Sequence, residues 1–351
     1  MMYLIITLCY LVLCAEVIEI NPFAREPFTL NLIHDTDDMM TVEFVLNRYH
    51  KSYLEIDGER YMNINVPSAA LLLERGNPEL PIIARSLMIP HQSRMDFRLE
   101  RIEYTELEGN ISPSKGSIRR RMDPSMIPFE FSYVYRTDAF FPENIVELND
   151  PYILFGEVRG TAFRISPFSV NPVSRTVRVH ERLVFTVYTS GGDDRNILSE
   201  PVEKITSDFI NVYQSHFLNF SSTYLRNNLL SERGRMLVVA HPNFYDEMLP
   251  FVEWKRQKGI PTEMITPDNP FPTVGSIKFQ INNHIDPYFP NARLAFVLLV
   301  GDAGLILNDS NGTFIPTHFH RYYMRGVGFR CGASDFYFAI DPSVNFFPQF
   351  F

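Results

Sequence analysis

The hydrophobic pattern of this chain changes near Met236, and that change most constrains its fold. From about Val17 to Gly192, short runs of alternating polarity are separated by Pro, Gly, Asn and Asp, a pattern typical of many short β-strands. From Met236 onward, continuous apolar runs alternate with segments of helical spacing, which is typical of an α/β domain. The sequence therefore predicts a multidomain protein, all-β first and α/β second.

The all-β part is predicted over residues 16–200. Its clearest strands are Thr161–Ile165 and Thr176–Thr189, which are rich in β-branched and aromatic residues, with Pro167 and Pro172 in the turn between them. Strands that bury one face need a second sheet to cover that face. We therefore expect a β-sandwich with hairpin connections.

The α/β part is predicted over residues 235–351. Its expected order is strand, helix, strand, helix, strand, at Met236–Ala240, Asn243–Lys258, Ile260–Ile265, Val274–Tyr288 and Leu294–Val300. Gly259 is a stop signal for the first helix, and Trp254 on its apolar spacing is expected in the core. This alternation predicts a parallel sheet that is buried on both faces.

Residues 201–234 are predicted to form a linker of mixed helical and extended character. Arg226 and Arg233 lie there, and Arg235 directly follows it, among polar residues and beside Gly234. A processing protease reaches such arginines if the segment is exposed. The alternative is a solvated connector without a processing role.

Residues 1–15 are predicted to be a signal peptide, so we expect a secreted, extracellular protein. The apolar run Tyr3–Cys14 is shorter than the roughly 20 residues that span a bilayer, and Ala15 is the candidate cleavage residue. An uncleaved membrane anchor is the alternative. With the signal removed, Cys331 is the one remaining cysteine, so no internal disulfide can form and the fold depends on its core.

The charge balance excludes one class of partner. A formal net charge of -9 gives no support to a nucleic-acid partner, which requires a basic face. We also expect no cofactor, no metal site and no membrane contact beyond the signal segment. Four sites match the N-glycosylation pattern, which acts only in a eukaryotic secretory pathway; they begin at Asn110, Asn219, Asn308 and Asn311.

Several motifs in the second part resemble one family of cysteine peptidases, the gingipains. Met236–Phe244, Trp254-Lys255, Lys258–Pro261 and Phe296–Asp302 are similar to the opening of the gingipain peptidase domain. Ser334-Asp335 with Tyr337 resembles the next landmark of that domain. The resemblance implies a caspase-like α/β fold.

The first part resembles the same family independently. Gly76–Pro81 followed by Met88–Pro90 is similar to the entry of the gingipain propeptide, and Thr161–Thr189 to its later strands. The resemblance thus covers most of the chain in the family's order. It implies a propeptide followed by the N-terminal part of a peptidase domain.

The resemblance implies proteolysis, but it assigns no catalytic residue here. In the family, a Gly-Arg strand, a His before Gly and a Cys at a strand end follow the Ser-Asp landmark, and none of the nine histidines of this chain precedes Gly. We therefore expect a precursor fragment that stops before these residues and is inactive alone. A protein or peptide substrate is expected only for a complete enzyme. The alternative is a secreted, non-catalytic binding or inhibitory module related to the prodomain.

Five further residues are candidates for a site. Asp302 ends a predicted parallel strand, where sites gather in open α/β sheets, and it is expected with Asp335 to line the cleft; capping of loops is the alternative for both. Cys331 near His318 and His320 has the residue types of a thiol and its base, although an ordinary loop thiol is the simpler interpretation. His318 and His320 also have the spacing of two metal ligands on a strand, or they lie in a polar loop.

Overall fold

The fold is described from a computed structural model, which covers residues 15–118, 120–155, 157–197, 207–220, 234–268, 272–285, 294–302, 315–324 and 328–339. The chain forms two compact units that are not contiguous in sequence. The first comprises Met1–Pro151, Gly160–Asp193 and Phe217–Asn219, and the second Tyr152–Arg159, Asp194–His216 and Phe220–Phe351. The predicted signal peptide lies outside the described residues, apart from Ala15.

Strands follow one another from Glu16 to Gly192, as the sequence predicts. They are β1 (Glu16–Glu19), β2 (Phe28–Asp35), β3 (Met39–Leu46), β4 (Arg48–Ile56), β5 (Glu59–Asn65), β6 (Ala70–Leu71), β7 (Pro81–Met88), β8 (Ser93–Glu108), β9 (Val146–Leu148), β10 (Tyr152–Leu154), β11 (Val158–Ile165), β12 (Phe168–Asn171) and β13 (Thr176–Gly192). Short 3-10 turns lie at Pro124–Met126 and Tyr133–Arg136.

Two sheets of the first unit enclose one core. One sheet has the order β12-β13-β3-β2 with β8 also paired to β13, and in the other β7 and β9 pair with β11. The rings of Phe163 on β11 and Phe185 on β13 meet edge to face, with centroids 5.2 Å apart, and both are fully buried. Such an aromatic pair contributes about 1 kcal/mol beyond its buried area. The predicted β-sandwich is confirmed.

The second unit contains a parallel sheet with helices. Its elements are α1 (Ile210–His216), β14 (Arg235–Ala240), α2 (Tyr245–Gln257), β15 (Thr262–Ile265), α3 (Val274–Asn283) and β16 (Leu294–Val300). The strand order is β15-β14-β16, all parallel. Leu237 and Val239 pack with Ile277 and Ile281 of α3, whereas Val238 packs with α2 on the opposite face. The strand–helix alternation is confirmed.

Two details of the helices differ from expectation. Helix α3 ends at Asn283, because His284 and Ile285 turn their N–H groups to the carbonyls of Ile281 and Asn282. Trp254 is not a core residue, since it is 46% exposed, with the Lys258 ammonium 4.4 Å from its ring centroid. Helical spacing marks a stripe, but it does not fix which residue at the stripe's edge is buried.

A hairpin and a short helix occupy a region that was expected to be loop. Strands β17 (His318–Met324) and β18 (Gly328–Ser334) are antiparallel, and α4 (Phe336–Ala339) follows. The loop interpretations of His318–His320 and Gly328–Gly332 were therefore wrong. The glycines of this segment weaken a strand locally, and the cross-strand ladder from His318–Ser334 to Met324–Gly328 outweighs that penalty.

In two of the four N-glycosylation patterns, the acceptor asparagine is buried in the folded chain. Asn110 and Asn219 are each 9% exposed. The amide of Asn110 donates to the Pro172 carbonyl at 3.2 Å, and that of Asn219 to the Met88 carbonyl at 2.9 Å. A glycan on either amide is incompatible with this packing. Asn308 and Asn311 lie outside the described residues.

Candidate functional site

The carboxyl ends of β14 and β16 meet at one edge of the parallel sheet. The backbone N–H of His241, just after β14, donates to the Val300 carbonyl at 2.9 Å. The His241 side chain is 4% exposed, and its Nδ1 accepts from the Asn243 N–H at 3.2 Å. This buried histidine therefore caps the turn into α2 and stabilises the edge. The His-Pro-Asn sequence carried that signal, although His241 was not predicted as a site residue.

The two predicted cleft-lining carboxylates are exposed and are tied to the same connector. The Asp302 carbonyl accepts from the Ile315 N–H at 2.9 Å. The Asp335 carboxylate accepts from the Thr317 hydroxyl at 3.5 Å, a long and weak bond. Residues 315–317 thus link the loop after β16 to the start of α4. These contacts fit the capping alternative, and a cleft-lining role for both residues stays a prediction.

Aromatic packing supports this edge from beside Asp335. The imidazole of His318 stacks on the Tyr337 ring, with centroids 4.2 Å apart and planes inclined by 7°. Lys278 of α3 donates from Nζ to the Phe338 carbonyl at 3.1 Å. Phe338 is 3% exposed and belongs to the core that covers the sheet. The short helix α4 is therefore anchored to the sheet through α3.

The strand register separates Cys331 from the nearby histidines. Position 331 is opposite Arg321, whereas His318 is opposite Ser334 and His320 is opposite Gly332. Because successive strand positions alternate between faces, position 331 and the two histidine positions belong to opposite faces of this hairpin. A thiol–imidazole dyad between them is therefore contradicted by the backbone.

Positions 318 and 320 lie on the same face of β17, as the positions of two ligands on one strand would. No cluster of three or more His, Cys, Asp or Glu side chains suited to a metal occurs in the part of the chain that the structure describes. A metal site requires more ligands than this pair supplies. The pair therefore gives no support to a metal centre.

The three candidate processing arginines differ in what the structure describes. Arg226 and Arg233 lie outside the described residues. Arg235 begins β14, pairs with Leu294 of β16, and donates to the His284 carbonyl at 2.8 Å. Cleavage beside Arg235 requires the central strand to leave its neighbours, so processing there stays a prediction.

A cluster of aromatic side chains within the second unit was missed by sequence reasoning. The Phe209 ring stacks on Phe155 with centroids 4.3 Å apart and meets the Phe296 ring of β16 at 5.5 Å. Tyr213 of α1 is fully buried, and its hydroxyl donates to Glu157 Oε2 at 2.7 Å. We call Phe155, Glu157, Phe209, Tyr213 and Phe296 the aromatic anchor. Its members are distant in sequence, so no local spacing identified it.

Two polar contacts extend the aromatic anchor. The carboxylate of Asp208 accepts from the backbone N–H of Gly234 at 2.9 Å, directly before β14. The hydroxyl of Tyr152 lies 2.6 Å from His216 Nε2, at the end of α1. Burial lowers the pKa of His216, so its neutral form is favoured near pH 7. The segments 152–159 and 207–216 are thus folded onto the parallel sheet.

Comparison with known families agrees with this architecture. The model of the C25 propeptide, "Propeptide_C25", matches residues 21–227. The model "Peptidase family C25" matches residues 229–350. The two matches adjoin in the order of the β-rich part and the parallel sheet.

Individual relatives agree with the family models. Gingipain R2 of Porphyromonas gingivalis (strain ATCC BAA-308 / W83) is 32% identical over 232 residues, which are 65% of this chain and 31% of that protein. Lys-gingipain HG66 of Porphyromonas gingivalis is 24% identical over 303 residues, covering 82% of this chain and 17% of that protein. The chain therefore spans a third or less of the length of these relatives.

A solved structure extends the agreement to the fold. One chain of the "Complex of Porphyromonas gingivalis RgpB pro- and mature domains" matches with a TM-score of 0.50 and 28% identity, over 55% of this chain and 98% of that chain. In chain order, the β-sandwich and the parallel α/β unit correspond to the propeptide match and the peptidase-family match. This chain belongs to the gingipain family of cysteine peptidases, peptidase family C25, and carries the propeptide of that family.

Proposed function

We propose that the chain supplies the propeptide and the opening of the catalytic domain of a gingipain-type cysteine endopeptidase, made as a precursor. The observation that carries this proposal is the contact between Phe209 and Phe296. Phe209 lies in the propeptide match and Phe296 in the peptidase match. Propeptide sequence is thus folded onto the sheet of the peptidase sequence, as a precursor requires.

The experiment that tests the precursor proposal is processing of the linker. Arg226 and Arg233 are the candidate sites, and their replacement by Gln removes the positive charge while keeping a long polar side chain. We expect an Arg-specific endopeptidase to cut the native chain after Arg226 or Arg233, and the double variant to resist cleavage at both positions. Preferential cutting elsewhere, mapped by mass spectrometry, would count against a processed linker.

We propose further that this chain by itself does not hydrolyse peptide bonds. Cysteine peptidase chemistry requires a thiolate within hydrogen-bond reach of an imidazole, and the β17–β18 register opposes that arrangement for Cys331. The purified chain is expected to show no turnover of Arg- or Lys-containing peptide substrates. Turnover that disappears in Cys331→Ala, with the fold retained, would overturn this expectation.

A second candidate function is binding or inhibition of a gingipain peptidase domain. It is favoured by the solved neighbour, which comes from a complex of gingipain pro- and mature domains and has one chain matched over 98% of its length. The test is capture of an intact gingipain peptidase domain by the purified chain, together with the residual activity of the captured enzyme. If the chain neither captures nor inhibits the enzyme at micromolar concentration, this candidate function is ruled out.

We also propose that the chain is secreted. The support is the apolar run Tyr3–Cys14 and the family to which the chain belongs. No helix in the described residues is long and apolar enough to cross a membrane. Expression with the native N-terminus, followed by N-terminal sequencing of the exported protein, is expected to give a start at Glu16. Retention of Met1 on an exported chain would contradict signal cleavage.

A further inference from the structure

A histidine on the face of β13 that points away from the sandwich core is buried without a full set of partners. His180 of β13 is 3% exposed, and its backbone N–H donates to the Pro167 carbonyl at 2.8 Å. Its imidazole Nε2 lies 3.0 Å from the hydroxyl of Ser169 on β12, which is itself 2% exposed. The other ring nitrogen, Nδ1, is buried and has no hydrogen-bond partner. A buried polar atom of this kind is rare in folded proteins.

The groups around His180 do not compensate a positive charge. On β8, the Tyr104 ring lies edge-on to the imidazole at 6.0 Å, and the Glu106 carboxylate is paired with Arg178 at 3.0 Å. On its own strand, Glu181 accepts from the Thr105 hydroxyl at 2.8 Å. The charged group that acts on the imidazole is the Arg178 guanidinium, which disfavours protonation of His180. Arg178 itself packs over the Phe140 ring, 3.7 Å from its centroid.

Protonation of His180 therefore conflicts with the folded sandwich. The imidazolium carries an N–H at both ring nitrogens, and the one at Nδ1 has no acceptor. Protonation also places a cation in a buried site near a second cation, Arg178. Burial first, and Arg178 second, lower the pKa of His180 to about 4. Strand pairing near His180 is easily lost, because the register between β13 and β8 is irregular between His180 and Arg182. Pairing is locally disrupted at such an irregularity.

We propose that His180 makes this propeptide sandwich acid-sensitive, so that protonation of its imidazole loosens the packing of β12, β13 and β8. Its role in releasing a propeptide at acid pH rests on the proposed precursor function. The loosening itself concerns the first unit alone. The sandwich is expected to keep its packing near neutral pH and to lose part of it in a mildly acidic medium.

The sandwich is expected to lose stability as the pH falls, because the folded and unfolded chains bind a proton at His180 with different pKa values. The folded pKa, about 4, lies below the ordinary histidine value of 6.5, so the unfolded chain binds the proton first as the pH falls. The stabilisation by neutral His180 is complete above pH 6.5 and is lost progressively as the pH falls from there to about 4. With these two values, the opening equilibrium rises about 30-fold between pH 7.5 and pH 5.

The test is amide hydrogen exchange of the full chain at pH 7.5 and pH 5, corrected for intrinsic exchange rates. In the wild type, amides of β12 and β13 are expected to open about 30-fold more at pH 5, beyond any change seen in His180→Gln. Gln keeps a hydrogen-bonding side chain near Ser169 but does not titrate. The matched control is His34→Gln at an exposed position, which should keep the full wild-type response.

An equal response in His180→Gln and the wild type would overturn the proposal. If His180→Gln does not fold, the imidazole of the wild type is followed by NMR as the pH is lowered. We then expect no protonation of His180 above pH 5 while β13 stays protected. Protonation near pH 6.5 in a protected sandwich would refute the proposal, and would leave the precursor function to its own test at the linker.

Discussion

The side chain of Asn219 pairs with the backbone of Met88 as a neighbouring strand would. Its Oδ1 accepts from the Met88 N–H at 2.7 Å, and its Nδ2 donates to the Met88 carbonyl at 2.9 Å. Next to it, the Leu218 N–H donates to the Ser86 carbonyl at 2.9 Å. Residues 217–219 lie within the predicted linker, before Arg226 and Arg233, and are thereby held on β7.

Replacement of Asn219 by Ala should destabilise the first unit. The change leaves two backbone groups of Met88 without these partners in a buried site, which costs about 2 kcal/mol. Chemical denaturation followed by the signal of the sandwich measures the loss. Asn144→Ala, at an exposed position, is the matched control and is expected to change stability by less than about 0.5 kcal/mol. Equal effects of the two substitutions would show that the Asn219 pairing is not stabilising.

Removal of the Tyr213 hydroxyl should weaken the second unit. In Tyr213→Phe the ring still fills its buried site, but Glu157 loses a hydrogen bond donor, which costs about 1 to 3 kcal/mol because the acceptor is charged. Phe23→Ala, which alters a side chain that is 94% exposed, is the control. Hydrogen exchange at β14 and β16 reports the change. If the amide protection of β14 and β16 is unchanged in Tyr213→Phe, the Tyr213 hydroxyl does not stabilise the second unit.

Residues 234–351 expressed alone should not form a stable domain. That fragment lacks Phe209, which covers Phe296, and Asp208, which accepts from Gly234. It also exposes the apolar surface of the sheet that Phe209 covers, which favours association. Aggregation, or rapid amide exchange in β14 and β16, is the expected result. A monomer with one cooperative unfolding transition would contradict it.

Much of the fold was predictable because the spacing of apolar residues along the sequence indicates strands and helices. Thr176–Thr189 alternates as a strand with one buried face, and Leu294–Val300 is a continuous apolar run that suits a parallel strand covered on both faces. Gly259 also ends its helix as expected, with a φ of +78°. These signals depend on neighbours in sequence.

The features that sequence did not reveal depend on residues distant along the chain. Phe209 and Phe296 meet only after the sheet forms, and the pairing of β17 with β18 overrides the loop-like glycines of its sequence. The exposure of Trp254 likewise depends on where α2 docks. Asp302 and Asp335 were recognised as neighbours of the sheet edge, but their chemistry was not fixed by position alone.

The central claim is that propeptide residues are folded onto the peptidase sheet through the aromatic anchor. A site for a specific protease, inserted between residues 221 and 233 of the full chain, allows the connection to be cut under native conditions. In Phe209→Ala the aromatic anchor loses most of its apolar contact. We expect the free energy of association of the two pieces to weaken by about 3 kcal/mol. That corresponds to roughly 100-fold weaker association. Phe23→Ala serves as the exposed control.

The most direct measurement is size-exclusion chromatography of the cut protein at a series of concentrations. The wild type and Phe23→Ala are expected to elute as a complex of both pieces. Phe209→Ala is expected to separate at concentrations roughly 100-fold higher than the wild type does. Separation of the wild-type pieces on cutting, or equally tight association in Phe209→Ala, would contradict the claim.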